Sequence, residues 1–304
     1  MANYFRTLHL GALNVVLQPH SASIYVSRFQ KCVALTRADF SEGKFFGRAN
    51  DGFIITSIHP INANDLTEGF QGEVARFMKF DPTEASHWLK LSDGKQAEEQ
   101  DIINVRVPPN LKPNLGIFRF AFYPKSHRVV FEVKSESRSI SHRSILPVFD
   151  YFFNHPKLPA GEPRARINIE QSHQMVGRIL KLQDLAYINV RFARPNDLLT
   201  AEDEEEAIEG MSEAGIEEID ISLQRTHEKP IQLWDWLKRL AGWTASNGSL
   251  TATGYENGKK MTLSTKSQPI TKKPKYDSRV TVAAEAFRIE SAEFGSELDN
   301  RRPS

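Results

Sequence analysis

Two short runs of alternating apolar and polar residues near the middle of the chain constrain its fold more than any other feature. Residues 118–123 place phenylalanine at every second position, and residues 129–134 do the same with valine and phenylalanine. A turn centred on Lys125 and Ser126 would join the two runs into an antiparallel hairpin. The facing pairs would then be Phe122 with Val129, Phe120 with Phe131 and Phe118 with Val133. Because a slip by one residue would turn all these side chains outward, the sequence predicts both the hairpin and its register.

The rest of the chain mixes helical and strand periodicity. Strands are predicted at residues 4–17, 53–58, 74–80, 166–170, 186–193, 215–224, 250–255, 260–265 and 280–289. Helices are predicted at residues 20–35, 141–154, 172–182, 204–211 and 231–246. Pro147 fits poorly inside a helix, which favours a start near that residue for the second of them. This order predicts an α+β fold class with two-layer mixed or antiparallel sheets, helices on one face and a strand-rich N-terminal part.

Three of these strands, at residues 166–170, 186–193 and 215–224, alternate so cleanly that one face of their sheet must be polar. We therefore expect helices on the apolar face, and a polar face that is open or meets a partner. The sequence divides into a strand-rich N-terminal region at residues 1–100, an α+β domain at residues 101–290 and a disordered tail at residues 291–304.

The composition excludes several classes of protein. The 304 residues include 39 Lys and Arg against 38 Asp and Glu, which excludes a globally basic coat protein or an acidic disordered chain. Cys32 is the only cysteine, so a disulfide framework is excluded, and we interpret it as a core residue rather than a reactive thiol. The sequence contains no phosphate-binding loop, no dinucleotide-binding motif and no zinc-binding motif, so no cofactor or metal is predicted. No apolar run or signal pattern indicates a membrane, so we expect a cytoplasmic protein.

Basic residues are concentrated in two stretches of this nearly neutral chain. Residues 110–145 carry seven Lys and Arg against two Glu, and residues 257–276 carry six Lys and no acid. If both fold onto one side, they form a surface that binds phosphate backbones without reading sequence, with DNA favoured over RNA. The candidate nucleic-acid-binding residues are Lys125, Arg128, Lys134, Arg138, Arg143, Lys259, Lys260, Lys272 and Lys273. The alternative is a lysine-rich hairpin and tail that only keep a sheet edge soluble.

Two short fragments suggest an enzyme. Glu132 and Lys134 lie on one face of a strand, an arrangement that many Mg²⁺-dependent nucleases use. Here Arg119, not an aspartate, lies opposite Glu132, so a cross-strand ion pair is the simpler interpretation. Arg138 and His142 resemble the residues of helical ribonucleases, but their spacing is shorter. We therefore predict no catalytic residues.

A tryptophan-rich helix offers a third possibility, a protein-interaction module. The helix at residues 231–246 is apolar on almost all sides, so it is buried or lies in an interface. Trp234, Trp236 and Trp243 would contact a second copy of the chain or another protein.

Six short segments follow one another in a fixed order along about residues 4–285. These are residues 13–17 with Pro19 and His20, residues 111–115, residues 169–172, residues 194–196, residues 245–248, and Gly258 with residues 263–265. Together they resemble an uncharacterised bacterial family, the domain-of-unknown-function family 4747. The resemblance implies a bacterial phage-defence or mobile-element context and brings no catalytic residues.

The order of a phenylalanine-rich helix, the strand at residues 218–224 and a lysine-bearing hairpin at residues 254–265 is also similar to the DNA-binding sensor of the lambda Rex exclusion system. This likeness concerns architecture alone. It favours DNA over RNA as the ligand.

Overall fold

The computed structural model describes residues 4–41, 51–78, 88–103, 105, 106, 108, 111–193, 210, 211, 213–226 and 229–300. The strands are β1 (Phe5–Thr7), β2 (His9–Val16), β3 (Asp51–Pro60), β4 (Phe70–Met78), β5 (Leu89–Lys90), β6 (Lys95–Gln96), β7 (Gly116–Tyr123), β8 (Arg128–Ser135), β9 (Arg138–Ser139), β10 (Arg166–Ile169), β11 (Gln183–Ala193), β12 (Glu218–Gln224), β13 (Gly248–Glu256), β14 (Lys259–Ser264), β15 (Thr271–Lys272) and β16 (Lys275–Asp277). The α-helices are α1 (Ala22–Ser41), α2 (Glu99–Ile102), α3 (His142–Phe153), α4 (His173–Leu180), α5 (Asp235–Asn247) and α6 (Ala283–Asn300). The fold class is α+β, as predicted.

An eight-stranded antiparallel sheet forms the larger half of the molecule. Its main order is β10-β2-β8-β7-β4-β3, with β15 beside β2 and β9 beside β8. The predicted hairpin, β7 and β8, lies at its centre. Phe122 faces Val129 and Phe120 faces Phe131 across the two strands, as predicted. Strands from both sides of residue 100 share this sheet, so that position does not separate two sheets.

The phenylalanine face of this sheet is covered by α1 and α3. Phe118, Phe120 and Phe122 are buried against Phe29 of α1 and against the apolar side of α3. Helix α3 begins at residue 142, and the expectation of a start near Pro147 is wrong. The Ser141 hydroxyl accepts a hydrogen bond from the backbone N–H of Ser144, so the helix is capped before the proline. Burial of the helix's apolar side outweighs the hydrogen bond that Pro147 removes.

The opposite face of the same sheet is covered by α6, where the sequence suggested a strand at residues 280–289 and a disordered tail. The structure corrects both predictions as far as Asn300. Val280 and Val282, whose alternation suggested the strand, are 83% and 71% exposed. The helix is favoured by the burial of Phe287, Phe294 and Leu298. These side chains lie on one side of it and pack against Ala12, Ala121 and Val130 of the sheet.

A second, four-stranded antiparallel sheet has the order β12-β11-β13-β14. Helices α4 and α5 cover its apolar face around Ile188, Val190 and Leu250. The other face stays polar and accessible, as predicted for residues 186–193 and 218–224. The strand at residues 166–169 joins the larger sheet through β2 instead, because Ile167 and Ile169 face the α3 core.

The β13–β14 hairpin forms as predicted, with Asn257 and Gly258 at positive φ in its two-residue turn. Residues 201–209, which hold most of the predicted helix 204–211, lie outside the described residues. Within the described part of the chain, every helix is too short or too polar to cross a membrane.

Candidate nucleic-acid interface

A cavity of about 790 Å³ opens at one end of the eight-stranded sheet, beside the first turn of α6. Strands β1, β2, β7 and β8 and residues 276–283 form its walls. Its volume lies in the range of pockets that hold small organic ligands. The residues that line it are Phe5, Arg6, Thr7, Leu8, His9, Arg119, Glu132, Lys134, Ser135, Glu136, Tyr276, Ser278 and Ala283.

Basic side chains lie at one side of this cavity, and we call Arg6, His9, Lys134 and Lys273 the basic rim. The first three line the cavity, and Lys273 lies near His9. The β2–β8 register sets His9 opposite Lys134, and Lys273 directly follows β15 on the other side of β2. Arg6, Lys134 and Lys273 are exposed, and within the described part of the chain none has a carboxylate within 4 Å. Partial burial, together with the charges of Lys273 and Lys134, lowers the pKa of His9. The rim is therefore a place where added positive charge is disfavoured and an anion would be stabilised.

The inner wall of the cavity holds an ion pair that the sequence predicted. Arg119 donates to Glu132 from its backbone N–H at 3.0 Å and from its guanidinium at 3.1 Å. Glu132 is 2% exposed, and burial raises its pKa, although the bonds from Arg119 act in the opposite direction. Glu73, opposite Arg119 on β4, also raises that pKa.

This arrangement fits the ion-pair interpretation better than a nuclease. Both oxygens of the Glu132 carboxylate accept bonds from Arg119. Among the described residues, no group of three His, Cys, Asp or Glu side chains could hold a metal ion. Lys134 is exposed at the rim, where it can contact a ligand phosphate without a metal.

The other predicted basic residues are dispersed. Arg138 follows Lys134 across the β8–β9 turn and is exposed, as is Arg143 in the first turn of α3. Lys125 lies in the turn at the opposite end of β8, 3.9 Å from Asp65. Lys259 and Lys260 belong to the other sheet. Lys272 is held by Glu290, Glu293 and Glu297 of α6, so its charge is already compensated.

Arg128 is the clear error among the predicted phosphate contacts. It is 1% exposed, and its Nε lies 2.6 Å from the Glu170 carboxylate, which is also buried. A side chain in this position cannot reach a phosphate. The even–odd pattern of β8 correctly separated Arg128 from the phenylalanine face, but the second face is covered here too.

Arg128 belongs instead to a polar junction between the two sheets, formed by Asn14, Arg128, Glu170 and Ser246. Asn14 accepts from the Arg128 guanidinium at 2.6 Å and donates to the Ser246 carbonyl at 3.1 Å. The Ser246 hydroxyl donates to Glu170 at 2.9 Å. These bonds tie β2, β8 and the end of β10 to the last turn of α5. The junction fixes one sheet against the other through buried, charge-assisted hydrogen bonds.

The junction brings together segments that carried the family resemblance. Residues 13–17 supply Asn14, residues 169–172 supply Glu170, and residues 245–248 supply Ser246. Gln171 extends the contact, since its backbone N–H donates to the Ala245 carbonyl at 2.9 Å. Asn14 and Ser246 are 232 residues apart in the chain, so their shared position could not be inferred from spacing.

The remaining sequence candidates are placed as follows. Cys32 is buried and burial raises its pKa to about 12, which agrees with a core residue. His142 is buried beside Phe131, whereas Arg138 is exposed. Trp243 is buried, while Trp234 and Trp236 are 51% and 41% exposed.

A buried Asp39–His155 pair was missed by sequence reasoning. The two side chains approach to 2.6 Å, as in a catalytic dyad. However, the second ring nitrogen of His155 accepts a bond from the backbone N–H of Lys157 at 3.2 Å. Burial opposes ionisation of Asp39, but hydrogen bonds from His155 and Tyr151 hold its pKa at about 2. With both ring nitrogens engaged, the pair anchors α1 to the segment after α3.

Fold and site together define an antiparallel α+β protein with two large sheets, a polar junction between them and a basic cavity at the end of the larger one. The chain belongs to the family described as "Domain of unknown function (DUF4747)", whose profile matches residues 6–290. No curated protein is significantly similar to it in sequence.

Proposed function

We propose that the protein binds the phosphate backbone of nucleic acid, DNA in preference to RNA, through the basic rim and without catalysis. One observation carries the proposal: Lys134 from the first predicted basic stretch and Lys273 from the second both lie close enough to His9 to lower its pKa, and His9 and Lys134 line one cavity. By family resemblance, this activity would serve a bacterial phage-defence or mobile-element system in the cytoplasm.

The charges at the rim suit a polyanion. Arg6, Lys134 and Lys273 come from three different strands or their ends, and Arg138 and Arg143 extend the positive charge beyond Lys134. Glu136 is the exposed acid in the lining, and Glu132 is compensated by Arg119. Because each phosphate contact releases a counterion, affinity should fall steeply with salt concentration.

The test is a charge-reversal experiment with a matched control. The variant Arg6→Glu/Lys134→Glu/Lys273→Glu changes the rim, and Lys259→Glu/Lys260→Glu/Lys266→Glu makes the same charge change beside the other sheet. Binding to a 20-nucleotide DNA is measured between 50 and 200 mM salt. We expect the rim variant alone to bind more weakly and to show a flatter salt slope, by about 0.7–0.9 for each phosphate that it no longer neutralises. Equal weakening in both variants would refute a specific site.

A second readout reports directly on His9. A phosphate near the basic rim stabilises the imidazolium, so bound DNA should raise the pKa of His9, measured by NMR. The His9 resonance is assigned with His9→Gln. The binding reactions are repeated with Mg²⁺, and cleavage that disappears in Glu132→Gln would instead favour the nuclease.

The exposed tryptophans favour a second candidate, a protein-interaction surface at the start of α5. Trp234 caps the start of α5 and Trp236 lies in its first turn, and both are exposed, whereas Trp243 is part of the core. We propose that they contact a second copy of the chain or another protein. Light scattering of the native protein and of Trp234→Ala/Trp236→Ala at high salt tests this, since phosphate contacts weaken there and apolar contacts do not.

A further inference from the structure

We infer that two copies of the chain associate by pairing their β12 strands antiparallel, which joins their four-stranded sheets into one continuous sheet. Within the described part of the chain, β12 pairs with β11 alone, so its other edge is the border of the smaller sheet. Such an edge presents a row of unpaired backbone N–H and C=O groups, which another strand can bind. This surface is separate from the basic rim, and the inference does not rest on nucleic-acid binding.

The hydrogen bonds between β11 and β12 show which backbone groups are available at the free edge. The backbone N–H of Arg225 donates to the Ala186 carbonyl at 3.0 Å, in the same register that sets Leu223 opposite Ile188. In an antiparallel ladder, hydrogen-bonded and non-hydrogen-bonded pairs alternate, so the odd-numbered residues of β12 bond to β11. The even-numbered residues direct their backbone groups outward, and they are Glu218, Asp220, Ser222 and Gln224.

The sequence of β12 is complementary to itself when two antiparallel copies are centred on Ile221. In this register Asp220 faces Ser222 of the second copy. Glu218 faces Gln224 of the second copy, so each acid meets an uncharged polar side chain. Every outward-directed residue also lies opposite another outward-directed residue, and the two edges can exchange backbone hydrogen bonds along the whole strand. The two-fold axis closes the assembly at a dimer.

A pair of opposite charges lies just beyond each end of the paired strands. In the register centred on Ile221, the exposed Glu217 of one copy is opposite the exposed Arg225 of the other, and the symmetry repeats this pair. Glu217 lies 3.3 Å from Arg166 of its own chain, but its side chain is still 84% exposed. Moving the centre to Asp220 would instead set two carboxylates directly opposite each other, which is destabilising.

The apolar side of β12 gives a second reason for a partner. Ile219, Ile221 and Leu223 are only partly buried, and the described helices α4 and α5 lie mainly over β11, β13 and β14. In the paired register, Ile221 lies beside Ile221 of the second copy, and Ile219 lies beside Leu223. These are non-hydrogen-bonded pairs, whose side chains are closest. Apolar surface that is half exposed in one copy is then covered by the other.

Two other sheet edges carry features that discourage pairing. Strand β14 bears Lys259 and Lys260, whereas β3 has a bulge between Ile55 and Ser57 and ends in Pro60. Lysines, bulges and prolines are the usual means by which proteins prevent edge-to-edge association. Strand β12 has none of the three, and its register against β11 is regular over all seven residues.

The first test places a proline at the free edge. Ser222→Pro removes a backbone N–H that points away from β11, so the β11–β12 bonds stay and the edge loses a donor. Thr262→Pro is the matched control on the β14 edge. Its N–H also points outward, because Glu256 and Lys259 close the two-residue turn as a hydrogen-bonded pair. Each substitution also removes one side-chain hydrogen bond, so the two variants are matched in that respect.

Sedimentation velocity at increasing protein concentration measures dimerisation, and circular dichroism checks that each variant is folded. We expect dimers for the native protein and for Thr262→Pro, and dimerisation at least about 10-fold weaker in Ser222→Pro. A native protein that stays monomeric, or a dimer that the folded Ser222→Pro leaves intact, would overturn the inference. A dimer lost in Trp234→Ala/Trp236→Ala but not in Ser222→Pro would be formed by the tryptophan surface instead.

A second test fixes the register and stays decisive if Ser222→Pro does not fold. Ile221→Cys should form a disulfide-linked dimer on mild oxidation, because the two copies of this residue face each other about 4.5 Å apart. Ile219→Cys should not, since its two copies would lie about 14 Å apart along the strands. Cys32 is buried and stays out of the reaction. Absence of the Ile221→Cys cross-link, or equal cross-linking in both variants, would contradict the pairing.

Discussion

The two large sheets of this protein differ in what covers their second face. In the eight-stranded sheet, the phenylalanine face is covered by α1 and α3, and the other face is covered by α6. In the four-stranded sheet, α4 and α5 cover one face and the other remains accessible. Strands of both sheets alternate apolar and polar residues. Only in the smaller sheet does this alternation separate a buried face from a solvent-accessible face.

The difference shows in the charged residues that the second faces carry. In the larger sheet, Arg128 and Glu170 are 1% exposed and paired with each other and with the junction. In the smaller sheet, Arg191 pairs with Glu218 at 2.6 Å, but both are accessible to water. A charge on a covered face must be paired, whereas a charge on an open face is already solvated.

The strongest test of this contrast removes one arginine from each sheet. Arg128→Ala leaves Glu170 buried without its partner, and we expect it to lower the free energy of unfolding by about 3–5 kcal/mol. Arg191→Ala, the matched control, should cost at most about 1 kcal/mol. Urea unfolding at pH 7 measures both. Similar destabilisation in the two variants would mean that the junction is not more stabilising than a surface pair.

A pH dependence should come from the covered sheet. Burial lowers the pKa of His142 to about 4, although a bond to the backbone of Ile270 acts in the opposite direction. The unfolded chain therefore binds a proton at higher pH than the folded one, and His142 stabilises the fold fully above about 6.5. As the pH falls from about 6.5 to about 4, protonation of this group in the unfolded chain should lower the free energy of unfolding by about 3 kcal/mol. Urea unfolding at several pH values should show a shallower decline for His142→Asn, and an identical profile would contradict the assignment.

Packing density offers a smaller contrast. A Cβ atom added at Gly11 would clash with His142 Nε2 and would lie 2.8 Å from the Phe131 ring. Gly11→Ala should therefore destabilise by about 1–3 kcal/mol. Gly177→Ala, in α4 of the smaller half, has nothing within 4 Å and should be neutral or stabilising by up to about 1 kcal/mol. Thermal unfolding of both variants checks this, and a neutral Gly11→Ala would show that the covered sheet can adjust.

The smallest effect is expected on the open face. Thr253→Val/Thr262→Val replaces a hydroxyl pair at 2.8 Å by two side chains of similar shape and strand preference. Because water satisfies these hydroxyls equally well, the change in the free energy of unfolding should stay within about 0.5 kcal/mol. A larger change in denaturant titration would indicate that the hydroxyl pairs contribute to the sheet.

The hairpin around Phe120, the fold class and the open face of the smaller sheet could all be predicted, because each depends on alternation within one or two neighbouring strands. The packing of α6 on the second face of the larger sheet could not be predicted. Ala12, Ala121 and Val130 are too small to indicate that a helix packs on them. Val280 and Val282 then suggested a strand where α6 is about to begin.

The candidate site was half predictable. Lys134 and Lys273 were identified from charge density, which is a local property. Arg128 lies in the same basic stretch of the sequence, but it is buried and paired with Glu170, a contact that the sequence does not reveal. Arg6, His9 and Phe5 carried no local signal, because the cavity forms only when β1 meets β16 across some 270 residues.

Strand β2 also has a consequence for biosynthesis. It lies inside the eight-stranded sheet between β8 on one side and β10 and β15 on the other. Its last partner leaves the ribosome about 250 residues after it, which at roughly 5–20 residues per second means about 10–50 s of waiting. Until β8 is synthesised, about 110 residues after β2, both edges of this apolar strand are unpaired in the nascent chain, and the edge that takes β15 stays incomplete for the whole time. The segment at residues 9–16 is therefore open to wrong pairing during synthesis, and slowing translation downstream of it should lower the soluble yield.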